Sequence, residues 1–253
     1  MAAALAVVIP ALDEAERLPL LLADLAVAPP GLIAEVLVVD GGSGDGSDRL
    51  ARFGGARLLR SSPGRGLQLG CGITASTSPW LLLLHADARL PPGWDRAIAA
   101  AIAARPPAEP TFWCFDLAVA GSGLNLRLLE LAVACRTGLR RLPYGDQGLL
   151  VSRQLLQACG GVAPLPLMED LDLVLRLRRL ASLRRLGLPL RVDGRRWRRH
   201  GVLACAWRNA RLRRAWRRGA PPDALARLYY GQPAPQGEYQ KAQRRFWGSS
   251  SHP

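Results

Sequence analysis

Residues 80–87 have the sequence Trp-Leu-Leu-Leu-Leu-His-Ala-Asp, an aliphatic run that ends in two polar side chains. The run is too short to span a bilayer and is typical of a strand buried on both faces of a parallel sheet. Side chains alternate along an extended segment, so we expect His85 and Asp87 to point the same way. This spacing suits one divalent ion held jointly with a diphosphate. The simpler interpretation is a solvated turn before Pro91 and Pro92.

Similar aliphatic segments occur upstream, with helical patterns between them. The predicted strands are 5–10, 35–39, 56–60 and 80–84, and the predicted helices are 14–27, 47–53, 66–75 and 93–104. Further along we predict strands at 111–120 and 148–152, helices at 123–136 and 169–180, and a loop at 138–146. Strands that alternate with helices form right-handed βαβ units, whose ligands bind beyond the carboxyl ends of the strands. The predicted fold class is α/β, with a mostly parallel, Rossmann-like sheet flanked by helices.

Composition indicates a globular protein. The chain has 253 residues, of which 49% are hydrophobic, enough for one large α/β domain. Its five scattered cysteines form no CxxC pair, which favours reduced thiols in a cytoplasmic protein over a zinc site or a disulfide framework. The apolar N-terminus has no positively charged segment and indicates a first strand instead of a signal peptide. We predict a single domain over 1–230 and a flexible tail at 231–253.

The positive charge is concentrated in one segment. Between Arg176 and Arg218 there are 16 arginines and one acid, Asp193, whereas the whole chain carries a net charge of +14. Such a segment indicates an anionic partner. The apolar residues among these arginines include Leu203, Trp207, Leu212 and Trp216. They would allow peripheral contact with anionic lipid on the cytoplasmic face of a membrane, or they would pack on the core while the arginines face water or diphosphate.

Polar loops follow the first three predicted strands. The first strand ends in Ile-Pro-Ala-Leu-Asp-Glu, residues 9–14, without the GxGxxG of dinucleotide oxidoreductases. At the end of the second, Asp40 would accept a hydrogen bond from a base or ribose, or residues 40–47 would form an ordinary turn in which Ser47 caps the next helix. Arg65, in the Gly-rich segment 64–72, would donate to phosphate at a helix N-terminus, although small residues there also serve close packing.

Acidic residues open a later helix. Glu169, Asp170 and Asp172 lie in its first turn, where carboxylates complement the helix dipole. A carboxylate kept ionised there would also be a competent general base for a hydroxyl group. His200 lies in the basic run 195–201, for which a solvated surface is the usual explanation.

In this order the motifs resemble the family 2 glycosyltransferases with the GT-A fold, over about residues 5–205. The matching segments are IPALDEAERLP (9–19), VVDGGSGDGS (38–47), GRGLQLGCG (64–72), LLHADARLPPGW (83–94), YGDQGLLVS (144–152) and LMEDLDLVLRL (167–177). Together, HAD, YGDQG and RRWRRHG are most similar to a bacterial subgroup named for arsenosugar biosynthesis. The resemblance implies a nucleotide-diphospho-sugar transferase fold, with a nucleotide-binding half at about 1–105, an acceptor half at about 106–205 and basic C-terminal helices at about 203–230.

The resemblance also implies roles for individual residues. Asp40 would read the nucleobase, Arg65 would contact the nucleotide, and Asp170 would be the catalytic base. Asp87 would bind Mn²⁺ or Mg²⁺ as the last acid of a DxD motif. His85 replaces the first Asp of that motif, so a neutral imidazole would share the metal. His200 would contact the metal or the diphosphate. The residues expected to contact the donor are Pro10, Asp13, Glu14, Gly41, Gln68 and Ala86. Those expected to contact the acceptor are Asp146, Gln147 and Glu169.

The implied activity is transfer of a sugar from a nucleoside-diphosphate sugar, with uridine favoured, to an acceptor hydroxyl on a small molecule or a lipid, with inversion. A sugar nucleotidyltransferase is an alternative, but such enzymes open with a glycine- and lysine-rich loop, and residues 9–19 contain neither residue. A nucleic-acid-binding protein that uses the arginines of 176–218 is a second alternative. It would leave Asp40, Asp87 and Asp170 unexplained, so we expect no nucleic-acid partner.

Overall fold

The computed structural model describes residues 5–104 and 110–230, together with Gln243 and Phe246. The predicted flexible tail at 231–253 lies outside the described residues, apart from these two. The strands are β1 (Leu5–Ala11), β2 (Ile33–Asp40), β3 (Arg57–Arg60), β4 (Trp80–Leu83), β5 (Ala88–Arg89), β6 (Thr111–Val119), β7 (Leu149–Ser152) and β8 (Ser182–Val192). The helices are α1 (Leu18–Ala26), α2 (Ser47–Phe53), α3 (Arg65–Ala75), α4 (Trp94–Ala103), α5 (Leu124–Arg140), α6 (Arg153–Ala158), α7 (Glu169–Leu180), α8 (Arg195–His200), α9 (Val202–Arg217) and α10 (Pro222–Tyr230).

All eight of these strands belong to one mixed sheet, in the order β3-β2-β1-β4-β7-β6-β8-β5. The first four in this order are parallel, as the alternating strands and helices predict. β7 runs antiparallel to both β4 and β6, β8 lies parallel to β6, and β5 lies antiparallel to β8. The predicted α/β class with flanking helices is confirmed. Because β1, β2 and β4 are parallel neighbours, their carboxyl ends lie at one edge of the sheet.

Helices cover both faces of this sheet. In β1, Leu5, Val7 and Ile9 pack into one apolar cluster with side chains of α1 and α4. The alternate residues Ala6 and Val8 pack into a second cluster with side chains of α3, α6 and α7. Burial on both faces explains why β1 is a continuous aliphatic run instead of an alternating one. Among the described residues no helix is both long and apolar enough to cross a membrane.

Three local predictions require correction. Helix α1 begins at Leu18 instead of residue 14, because Glu14 lies in a turn closed by the bond from the Leu18 amide to the Glu14 carbonyl at 2.9 Å. Residues 85–88 form a turn closed by the Ala88 amide and the His85 carbonyl at 3.1 Å, not an extended segment. Helix α5 continues to Arg140, into the predicted loop.

Candidate active site

The loops that follow β1 and β2 bind each other through reciprocal hydrogen bonds. Asp13 Oδ1 accepts from the Gly44 amide at 2.9 Å, and the Asp13 amide donates to Ser43 Oγ at 3.0 Å. The Glu14 amide donates to Ser47 Oγ at 2.8 Å. Ser47 therefore does not cap α2 as predicted, since the residue at the cap position is Gly46 and the Ser47 hydroxyl serves the neighbouring loop. These bonds fix the two loops side by side at the carboxyl edge of the sheet.

Asp40 closes β2, and its carboxylate is turned into its own loop. The side chain is 3% exposed, Oδ1 accepts from Ser43 Oγ at 2.5 Å, and Oδ2 accepts from the Gly42 amide at 3.1 Å. This geometry is the Asp- and Gly-rich turn of the simpler interpretation. A carboxylate oxygen can accept more than one bond, so these contacts are compatible with a further bond to a base or ribose. The role of Asp40 in reading the base stays a prediction.

Gln68 is a buried brace between the ends of β1 and β2, and its contact with the donor stays a prediction. Its Nε2 donates to the carbonyls of Ala11 and Val39, both at 2.8 Å, and its Oε1 accepts from the Gly64 amide at 3.2 Å. Both amide hydrogens are therefore used by the ends of β1 and β2. A Cβ on Gly41 would lie 3.1 Å from Gln68 Nε2, so this glycine leaves room for the brace. Pro10 and Ala86 are also buried, and their contacts with a donor stay predictions.

Arg65 begins α3 and points towards the start of α7. Its Nε lies 2.7 Å from Oε1 of Glu169, a side chain that is almost fully buried. Burial raises the pKa of Glu169, and the charge of Arg65 opposes this shift. Burial would lower the pKa of Arg65, but Glu169 acts against it together with Tyr230, Asp170 and Asp146, so the pKa is raised and the guanidinium stays charged. Gly66 allows α3 to approach this region, because a Cβ there would lie 2.5 Å from the Ala163 carbonyl oxygen, which confirms the packing interpretation at this position.

His85, Gly145 and Asp170 meet at a cavity of about 40 Å³, large enough for a few water molecules. The Gly145 amide donates to Asp170 Oδ2 at 2.9 Å, and a Cβ on Gly145 would lie 2.7 Å from His85 Nε2. Only glycine lets this loop approach the histidine so closely. Burial and the charge of Arg65 lower the pKa of His85 to about 3, so its imidazole is neutral at physiological pH. The structure thus places the predicted base beside the HAD motif.

Asp87 faces a different set of charges from His85. Burial and the negative charges of Glu14 and Asp193 together raise the pKa of Asp87 to about 6, and the charge of Arg195 opposes this rise. The charges that act on His85 are those of Arg65, Asp170 and Arg196. The turn at 85–88 explains the difference, because alternation holds only in an extended segment. Strand alternation therefore does not apply at this turn, and the expectation that His85 and Asp87 serve one ion stays a prediction.

An ion-pair network joins the first loop to the segment between β8 and α8. Glu14 pairs with Arg195, and Arg17 pairs with Asp193. Asp193 also accepts from Nη2 of Arg198 at 3.1 Å and from the Arg195 amide at 2.8 Å. Glu14, a predicted donor contact, thus holds an arginine at the cleft. The sequence analysis did not predict these ion pairs. The one signal of them in the sequence is Asp193, the single acid among the 16 arginines of residues 176–218.

Asp146 and Gln147 lie in a short 3-10 helical turn, Gly145–Gln147, and differ in their surroundings. Gln147 is 1% exposed, accepts from Thr137 Oγ1 at 3.0 Å and Arg136 Nη2 at 3.1 Å, and donates to the Phe115 carbonyl at 3.1 Å. It braces the turn against β6 and α5, and its contact with the acceptor stays a prediction. Oδ1 of Asp146 is buried without a hydrogen-bond partner among the described residues, and burial raises the pKa of this carboxyl.

The predicted metal ligands do not form a three-residue group. Within the described ranges no three His, Cys, Asp or Glu side chains could jointly hold an ion, and His200 is exposed at the end of α8. His85 supplies a neutral imidazole nitrogen, and Asp87 supplies a half-buried carboxylate on which the charges of two other acids act. Mg²⁺ and similar ions are commonly held by one or two protein groups together with phosphate oxygens. Asp87 and His85 therefore fit a metal shared with a diphosphate, and the structure does not bring His200 to it.

Part of the arginine-rich segment is structural. Arg176 pairs with Asp172 at 2.6 Å and donates to the Gly161 carbonyl at 2.7 Å, and Arg185 pairs with Asp116 at 2.6 Å. These contacts weaken the nucleic-acid interpretation, which needs the arginines on an open surface. At the end of α10, Tyr230 lies close enough to Arg65 and Glu169 for their charges to act on its pKa, a neighbour that the sequence analysis did not predict.

Comparison with known proteins identifies the first part of the chain. Residues 6–111 match the model of the glycosyl transferase family 2. Two relatives, described as uncharacterized glycosyltransferases of Mycobacterium bovis and Mycobacterium tuberculosis, are 37% identical over 91 residues. This match covers 36% of the chain and 39% of each relative, so the chain spans about two fifths of the length of the relatives it matches.

Solved structures agree with the fold. The glucosyl-3-phosphoglycerate synthase of Mycobacterium tuberculosis, in complex with Mn²⁺, UDP and glucosyl-3-phosphoglycerate, superposes with a TM-score of 0.54 at 21% identity, over 75% of this chain and 71% of that one. Its complex with Mn²⁺ and UDP-glucose gives a TM-score of 0.55 at 21% identity, over 75% and 70%. At this identity the likeness shows the fold alone. Residues 6–111 are therefore similar to the glycosyl transferase family 2, and the fold is of the GT-A type.

Proposed function

We propose that this protein transfers a sugar from a nucleoside-diphosphate sugar, with UDP favoured, to an acceptor hydroxyl, and that the anomeric carbon is inverted. The observation that carries the proposal is the position of Asp170. Its carboxylate lies beside His85 of the HAD motif and accepts the Gly145 amide at 2.9 Å. A family 2 domain supplies the donor half, and Asp170 gives the same cleft a base.

The donor would bind on the paired loops after β1 and β2. These loops present Asp13, Asp40 and the glycines of residues 41–46 at the carboxyl edge of the sheet, where nucleotides bind in α/β folds. Uridine is favoured because the mycobacterial synthase of similar fold binds UDP and UDP-glucose. Arg65 and Arg195 are the cations that would face the diphosphate, and each is held by a carboxylate, Glu169 and Glu14 respectively. These pairs fix the positions of both guanidinium groups before a donor binds.

Asp87 and His85 would hold a divalent ion together with the donor diphosphate. When bound, Mn²⁺ or Mg²⁺ would neutralise charge that develops on the departing diphosphate. The negative charges of two further acids, Glu14 and Asp193, act on Asp87, and a bound cation would offset this concentration of negative charge. A pKa of about 6 leaves the Asp87 carboxylate largely ionised at neutral pH.

Asp170 would take the proton from the acceptor hydroxyl. The hydroxyl oxygen forms a bond to the anomeric carbon, the bond from that carbon to the diphosphate oxygen breaks, and the hydroxyl proton passes to the carboxylate. Attack opposite the leaving group inverts the configuration. Asp170 accepts hydrogen bonds from the amides of Gly145 and Leu171, at 2.9 and 2.7 Å, and these bonds fix the position of its carboxylate. Asp146 and Glu169 line the same side and would contact the acceptor, which is a small molecule or a lipid.

A panel of nucleoside-diphosphate sugars tests the proposal, with thermal unfolding measured with and without Mn²⁺. A donor at 100 times its dissociation constant should add about 2.7 kcal/mol to the free energy of unfolding. UDP-sugars should stabilise the protein, and only with the metal. If no nucleotide sugar does so at millimolar concentration, the proposal is wrong. The arsenosugar subgroup stays a prediction that the matches named above do not test.

A further inference from the structure

Helix α5 carries an apolar stripe on the side that faces away from the core. The stripe comprises Leu124, Leu128, Leu131, Cys135 and Leu139, spaced three or four residues apart. Leu124 is 73% exposed and Leu139 is 86% exposed, whereas Leu126 and Val133 on the opposite face are buried in the protein. Isolated apolar residues are common on protein surfaces, but a continuous stripe along a helix of 17 residues marks an interaction surface.

The C-terminal end of this stripe is positively charged. Glu130, the one acid of α5, is turned inward, since it accepts from the Val119 amide at 2.7 Å and pairs with Arg127. The helix ends at the exposed residues Arg140 and Arg141. No acidic side chain of α5 therefore opposes an anionic partner.

Helix α9 packs against α5, and its exposed face also combines apolar and positively charged residues. Its exposed face begins with Leu203, 79% exposed, and Trp207, 63% exposed. The next turns of this face present Arg211, Arg214 and Arg218. The Arg211 guanidinium lies 4.5 Å from the centre of the Trp207 ring. Leu212 and Trp216, for which lipid contact was also considered, pack in the core instead: Leu212 is buried and Trp216 packs against the same cluster.

We propose that the stripe of α5 and the exposed face of α9 together form a membrane-docking surface for bilayers rich in anionic lipid. Leucine and tryptophan side chains would enter the boundary between headgroups and acyl chains, and the arginines would bind lipid phosphates. A second copy of the chain fits this surface less well, because two arginine-rich faces would repel each other. The inference does not depend on the sugar-transfer proposal, since none of these residues lines the cleft.

Cys135 lies within the stripe and provides a direct probe. It is exposed, whereas Cys114, Cys159 and Cys205 are buried. A polarity-sensitive fluorophore attached to Cys135 in a Cys71→Ser background should brighten and shift to shorter wavelength with phosphatidylglycerol vesicles. The matched control carries the fluorophore on Phe53→Cys, with Cys71 and Cys135 replaced by serine. Phe53 is 93% exposed on α2, outside the proposed surface, so its label should not respond.

Binding measured by vesicle sedimentation should follow both components of the surface. The double variant Leu128→Ser/Leu131→Ser should bind anionic vesicles at least about tenfold more weakly, and Phe53→Ser should bind as the wild type does. Arg211→Gln/Arg214→Gln should also lose about tenfold or more, as should the wild type at high salt. All these positions are exposed, so thermal unfolding should show intact folding.

Three results would overturn the inference. Equal binding to pure phosphatidylcholine would show that the arginines do not select anionic lipid. An equal response from the Phe53→Cys label would show that the docking surface does not lie on α5 and α9. Absence of vesicle binding, together with a dimer that Leu128→Ser dissociates, would show that a second copy covers the stripe. Donor binding, measured in parallel, should be unchanged in every variant, which separates this inference from the proposed activity.

Discussion

Replacing Asp87 with asparagine should stabilise the free protein at alkaline pH and abolish its response to Mn²⁺ with UDP. Burial among Glu14 and Asp193 raises the pKa of Asp87 from 3.8 to about 6 in the folded state. The folded protein therefore binds this proton more tightly than the unfolded chain does, and stability falls as the pH rises from 3.8 through 6. Since one pKa unit corresponds to about 1.4 kcal/mol, the ionised carboxylate destabilises the fold by at most about 3 kcal/mol at pH 8.

Asparagine cannot ionise, so the Asp87→Asn variant should avoid this loss. Its Tm at pH 8 should exceed that of the wild type by several degrees, at about 2–4 °C per kcal/mol for a chain of this size. The difference should shrink to about half at pH 5, where the folded wild type is mostly protonated. With Mn²⁺ and UDP the order should reverse, because only the wild type offers a carboxylate to the metal.

Thermal unfolding at both pH values, with and without these ligands, measures the effect. The matched control is Glu16→Gln, in the neighbouring loop. The Glu16 side chain is 82% exposed, so the loss of its carboxylate should change Tm little. The reasoning fails if Asp87→Asn has the wild-type Tm at pH 8. It also fails if Mn²⁺ with UDP stabilises the variant as much as it does the wild type.

Two further substitutions test the framework of the cleft. Gly145→Ala should lower turnover and also reduce the free energy of unfolding by about 1–3 kcal/mol, because its Cβ would lie 2.7 Å from His85 Nε2. Turnover equal to that of the wild type would show that the loop does not need to contact the histidine. Gln68→Leu should remove the hydrogen bonds that Nε2 donates to the Ala11 and Val39 carbonyls and reduce stability by about 0.5–1.5 kcal/mol for each bond, measured in urea. A Gln68→Leu variant with normal stability but no donor binding would instead show that Gln68 contacts the donor.

The parts of the fold that were predictable are those governed by local pattern. The aliphatic runs of β1, β2 and β4 are buried on both faces, so their sequences alone indicate strands. Helices α2 and α7 begin and end at the predicted residues. Strand β8 was missed because it lies in the arginine-rich segment and many of its side chains are exposed, so no aliphatic run marks it.

The site was predictable where resemblance supplied a motif and not where a contact joins distant parts of the chain. Asp170 lies beside His85 as the motifs imply. The amides of Gln68 and Gln147 were predicted as ligands because their motifs lie at the cleft, but carbonyl and hydroxyl partners from other elements use them. Glu14 and Arg195 are far apart in sequence, and no local pattern pairs them.

The central claim is that Asp170 removes the proton of the nucleophile at a site that already holds the donor. The direct measurement is UDP release from a UDP-sugar that binds with Mn²⁺, followed in the wild type and in Asp170→Asn, with water as acceptor until the natural one is identified. General-base catalysis contributes about 10² to 10⁴ in rate, so kcat should fall by that factor while the Kd of the donor stays the same. Near wild-type turnover by Asp170→Asn would contradict the account, as would a loss of donor binding that matches the loss of rate.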